Sequence, residues 1–124
     1  MDAGQRAAFD ADRDVTGKAV ASACYAPFTS MYLNPLGDVL ACCDNTEHPL
    51  GNITERSLRE IWQGHATTEL RTALTAYDLS VGCWYCAWQI DDGQGAGVPA
   101  RGYEHLPVVD AVPEWPRRLS LIHI

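Results

Sequence analysis

The chain has 124 residues, enough for one domain, with five cysteines and a formal charge of −7. That acidic balance lacks the basic stripe needed to bind a phosphate backbone, which excludes nucleic acid as a partner. No run of about 20 apolar residues offers a membrane span, and the polar start lacks the apolar core of a secretory signal, so the reducing cytosol is the expected compartment.

Residues 1–22 read as a loosely ordered lead-in with a helical turn around residues 6–10. Residues 28–42 read as a β-hairpin around the turn Asn34-Pro35-Leu36-Gly37-Asp38, where proline presets one φ and glycine supplies a positive one. Met31 and Leu33 are expected to share a face with Val39 and Ala41. Cys42 and Cys43 are consecutive, so strand alternation points them in opposite directions.

Residues 44–56 read as a loop. Ser57-Leu58-Arg59-Glu60 then fits a capping box and opens a helix carrying Leu58, Ile61 and Trp62, with Gly64 just past its end. A second helix is predicted over residues 67–77, where Leu70, Ala73, Leu74 and Tyr77 fall at helical spacing. Cys83-Trp84-Tyr85-Cys86 forms a tight knuckle. Residues 91–118 are rich in glycine and proline and read as an extended arm or linker. The last six residues, 119–124, resemble the translation of a sequencing-library adapter, so the natural protein is expected to continue past Arg118.

The cysteines carry the chemistry. Cys24 and Cys42 stand in the pattern C-x12-G-x4-C around Gly37, and Cys83 and Cys86 form a C-x2-C pair. Four thiolates gathered by a hairpin and a knuckle make a sulfur cage, suited to an iron–sulfur cluster or to a structural zinc. From spacing alone both stand open. A core spanning roughly residues 23–90 is small enough to need such a staple. Cys43 is the alternative to Cys42, and His48 a minor candidate in a Cys3His zinc site. His65 and His105 read as helix-end and loop residues. Trp62, Trp84 and Trp88 are expected either to pack around the cage or to serve as ordinary core aromatics. No catalytic triad order, phosphate-binding glycine loop or metal-hydrolase motif is present.

From Cys24 to Trp88 the sequence resembles the SPASM/twitch auxiliary-cluster domains of radical S-adenosylmethionine (radical SAM) enzymes. The carrying stretches are Cys24-Tyr25-Ala26-Pro27-Phe28, Met31-Tyr32-Leu33-Asn34-Pro35-Leu36-Gly37-Asp38-Val39, Cys42-Cys43, Leu50-Gly51-Asn52-Ile53, Ser57-Leu58-Arg59-Glu60-Ile61-Trp62 and Cys83-Trp84-Tyr85-Cys86. The resemblance implies a small α+β domain: a β-hairpin, two short helices and a C-x2-C knuckle around one [4Fe–4S] cluster held by Cys24, Cys42, Cys83 and Cys86. No cysteine follows Cys86, which points to the single-cluster, twitch-like type. The radical SAM signature C-x3-C-x2-C is absent, so this chain is expected to bind no S-adenosylmethionine. Its implied partner is a radical SAM catalytic barrel in the full-length chain, acting on a peptide or protein.

Overall fold

The computed structural model describes residues 1–11, 13, 15, 18, 20–91 and 101–108. The adapter-like residues 119–124 and most of the predicted arm lie outside the described residues.

The order of elements is α1 (Ala3–Asp10), α2 (Ala26–Thr29), β1 (Tyr32–Leu33), β2 (Asp38–Leu40), β3 (Gly51–Asn52), α3 (Leu58–Trp62), α4 (His65–Thr75) and α5 (Trp84–Asp91). This is a small α+β domain, as expected. The three strands form one antiparallel sheet in the order β1-β2-β3, with Leu33 opposite Val39 and Val39 opposite Gly51.

The helical turn expected near residues 6–10 is a helix of 8 residues, α1. Asp2 caps it, accepting from the Gln5 N–H at 2.8 Å, while the Gln5 side chain accepts from the Asp2 N–H at 2.9 Å. Its Phe9 enters the core and meets Tyr77 edge-on, ring centroids 6.0 Å apart.

The hairpin is shorter than its sequence suggests. Phe28 lies in α2, where Pro27 occupies a first-turn position that needs no N–H donor. The turn is built around Asn34, whose side-chain oxygen accepts from the N–H groups of Leu36 and Asp38, both at 3.0 Å. Gly37 takes φ 85°, as the turn requires. Val39 is buried on the middle strand, whereas Leu33 on the edge strand is 44% exposed and does not join it in the core. Met31 does pack against the core. Strand β3 falls inside the predicted loop, with Leu50 N–H donating to the Val39 carbonyl at 2.8 Å.

The predicted capping box is present at α3, with Glu60 N–H donating to Ser57 Oγ at 3.2 Å. Helix α4 ends two residues before Tyr77, in a Schellman motif. Asp78 N–H donates to the Ala73 carbonyl at 2.8 Å and Tyr77 N–H to that of Leu74 at 3.0 Å. Tyr77 holds the left-handed position at φ 55°, where glycine is usual. Its ring packs on Phe9 and its hydroxyl donates to Asp10 at about 3 Å, so tertiary contacts offset the local strain.

The core gathers Val39, Ala41, Leu50, Ile61, Leu70 and Leu74 between the sheet and α3–α4. Residues 101–108, read from sequence as extended arm, instead fold back onto the domain. Glu104 contacts Arg13 and the Leu106 carbonyl accepts from Lys18 Nζ at 2.8 Å.

Candidate metal centre

Cys24, Cys42, Cys83 and Cys86 line one pocket. Each arrives by a different local device. Cys24 follows Ala23, whose N–H donates to the Leu74 carbonyl at the end of α4 at 2.9 Å. The buried Ser22 hydroxyl bridges back to Cys24, donating to its carbonyl at 2.7 Å. Cys42 lies just past β2, and the sheet register fixes where that strand ends. Cys83 immediately precedes α5 and Cys86 sits in its first turn, where the helix dipole favours negative charge.

The two adjacent cysteines separate. Cys42 is half-buried and faces the pocket; Cys43 is exposed and does not line it. His48 turns its Nε2 to the Ala66 carbonyl at 2.8 Å and is absent from the pocket wall. His65 is 94% exposed along its side chain, beside Glu69, and His105 is exposed.

Sulfur hydrogen bonds are already in place. Ala26 N–H donates to Cys24 Sγ at 3.4 Å and Asn45 Nδ2 to Cys83 Sγ at 3.6 Å. Backbone N–H groups of Asp44 and Asn45 act in the same way on Cys42. Donors of this kind stabilise sulfur-borne negative charge and tune a bound metal group.

Burial pushes the Cys24 and Cys42 thiols up and takes Cys83 to about 12. After burial, the neighbouring pocket thiols push Cys24 and Cys83 up further. Cys24, Cys42 and Cys83, crowded in an apolar pocket, resist ionisation without a bound cation. Iron or zinc supplies the positive charge that lets all four become thiolates. Among the described residues, no group of three or more His, Cys, Asp or Glu side chains closes on a point that would hold a single ion. The four cysteines instead line the wall of one partly open pocket. A soft, all-thiol donor set around a space fits a metal–sulfur group.

Of the two readings of the tryptophans, Trp62 fits the ordinary core aromatic and none lines the pocket. Trp84 and Trp88 are 53% and 57% exposed, because they occupy the outward side of α5. Trp62 is buried elsewhere, stacked under the Arg71 guanidinium at 4.5 Å from its ring centre. The aromatic walls are Phe9, Tyr85 and Tyr103. Phe9 and Tyr103 come from the segments read as lead-in and arm, and nothing in their local pattern marks them. Asn45 also lines the pocket and is 2% exposed. Its position three residues after Cys42 was the one available signal.

Residues 24–87, more than half of the chain, match the family model described as the SPASM iron–sulfur cluster-binding domain. The chain belongs to the SPASM family. All four pocket cysteines of this SPASM domain lie inside the matched segment. SPASM domains bind iron–sulfur clusters, which agrees with four thiols lining one pocket. No curated protein and no solved structure matches the chain. Among the described residues, no helix is long and apolar enough to cross a membrane.

Proposed function

We propose that Cys24, Cys42, Cys83 and Cys86 hold one [4Fe–4S] cluster, and that the domain serves as the auxiliary module of a radical SAM protein. The observation that carries this reading is the gathering of four thiols in one pocket within the SPASM segment. The fifth cysteine, Cys43, is exposed and stands outside that pocket.

When bound, such a cluster supplies one-electron redox capacity. The chain's own residues do the rest. Four thiolates fill the cluster's coordination, which favours electron relay or organisation of a neighbouring substrate site over direct substrate ligation. The N–H groups at Cys24, Cys42 and Cys83 steady the sulfurs. Phe9, Tyr85 and Tyr103 supply the aromatic part of the pocket wall.

The chain has no C-x3-C-x2-C motif, so the reaction itself belongs to a radical SAM catalytic barrel, modifying a peptide or protein. A cytoplasmic setting keeps the thiols reduced and available as ligands. The test is the visible and electron paramagnetic resonance spectrum of anaerobically purified protein. The reading expects a brown solution whose absorbance bleaches on reduction as a paramagnetic signal appears. A colourless zinc protein would contradict it.

A further inference from the structure

Two aromatic walls of the pocket lie outside the SPASM segment: Phe9 before it and Tyr103 after it. They are tied together. Arg13 has a side chain with 0% exposure and lies between two carboxylates. Its Nε donates to Glu104 Oε1 at 2.6 Å and its Nη1 to Asp10 Oδ1 at 2.7 Å. Its guanidinium also rests 4.9 Å from the centre of the Phe9 ring. Glu104, the neighbour of Tyr103, is only 10% exposed along its side chain. The bond from Lys18 Nζ to the Leu106 carbonyl fixes the same segment two residues further on.

We propose that residues 101–108 are a working part of the cluster site: Tyr103 closes the pocket over the four thiols, and the Arg13–Glu104 ion pair holds it there. The proposal rests on the cluster reading above. A buried guanidinium is held in one place by its partners, because leaving it unpaired in an apolar setting is costly. Glu104 is therefore an anchor of defined position, and Tyr103 follows from it by chain connectivity. The Tyr103 ring lines the same pocket as Cys24 and Cys42 and occupies space that water would otherwise take. Excluding water and chelators slows loss of a bound metal group, and it is the ring, not the hydroxyl, that excludes them. Tyr103 is thus a shielding residue and Glu104 a positioning residue.

The test measures release of metal from anaerobically purified full chain to an excess of chelator, after elemental analysis of what is bound. Tyr103→Ala and Glu104→Ala are expected to release metal about tenfold faster than wild type, the scale on which outer-shell changes act. Tyr103→Phe, which keeps the ring, stays at the wild-type rate. Ser57→Ala weakens the α3 cap away from the pocket and also stays at the wild-type rate, which separates shielding from general loss of stability. If Tyr103→Ala does not fold by circular dichroism, Glu104→Ala carries the test. Wild-type release from both alanine variants would overturn the proposal, as would equal acceleration by Ser57→Ala. Zinc in place of iron would overturn the cluster reading, while the same release rates would still decide whether Tyr103 is a cover.

Discussion

The side-chain amide of Asn45 reaches Cys83 Sγ at 3.6 Å while also donating to the Val81 carbonyl at 3.2 Å. One residue thus ties the loop after Cys42 to the approach of the C-x2-C pair. It brings the two halves of the cysteine set together and places a donor on one of the sulfurs. Asn45→Ala is expected to cost about 1–3 kcal/mol, since the buried Asn45 amide gives up its bonds to the half-buried Val81 carbonyl and to Cys83 Sγ. It also removes a donor that favours the more negative, reduced cluster, so the midpoint potential moves to a more negative value. Chemical denaturation and a redox titration check the two effects separately.

The cysteines differ in what their loss does. Cys86→Ser is expected to reduce bound iron to well under half of the wild-type amount. Cys43→Ser leaves it unchanged, because Cys43 is exposed and outside the pocket. Iron assays on the two variants, purified side by side, decide this. The reverse ranking would give the ligand role to Cys43.

Gly82 lies in the pocket wall at φ 75°, and a Cβ there would run into Asn45 Oδ1. Gly82→Ala is therefore strained twice, by the left-handed backbone and by the clash. The backbone alone costs about 1–2 kcal/mol. The displaced Asn45 amide would also withdraw from Cys83. A lower melting temperature together with lower iron content is the expected pair of results.

Much of this was legible in the sequence where the cause is local. The Ser57–Glu60 capping box and the Asn34–Asp38 turn depend on residues within a few positions of each other, and both form as expected. Cys42 and Cys43 do face apart, but in the bend and turn past the end of β2 rather than by alternation along a strand. What was not legible depends on distant partners. Strand β3 has only Gly51 and Asn52, neither a strand former, and exists because Leu50 and Ile53 bond the hairpin. The short aromatic run Trp84-Tyr85-Cys86-Ala87-Trp88 suggests a wall around the cysteines, yet helical geometry turns both tryptophans outward. The contact between Arg13 and Glu104 spans 91 positions, and no local pattern announces it.

Tyr77 joins α1 to the end of α4. Its hydroxyl donates to both carboxylate oxygens of Asp10, at 3.0 and 2.9 Å, and lies 3.5 Å from Arg13 Nη1. Tyr77→Phe keeps the packing on Phe9 and loses these bonds to charged groups. A loss of about 1.5–3 kcal/mol is expected from denaturation of the metal-loaded protein. Iron content stays at the wild-type value, because Tyr77 is not part of the pocket wall.

The central claim is a single cluster in the pocket of Cys24, Cys42, Cys83 and Cys86. Its most direct test is the amount of iron and acid-labile sulfide per chain in protein purified without oxygen. The account predicts about four of each. One zinc per chain with no sulfide would contradict it.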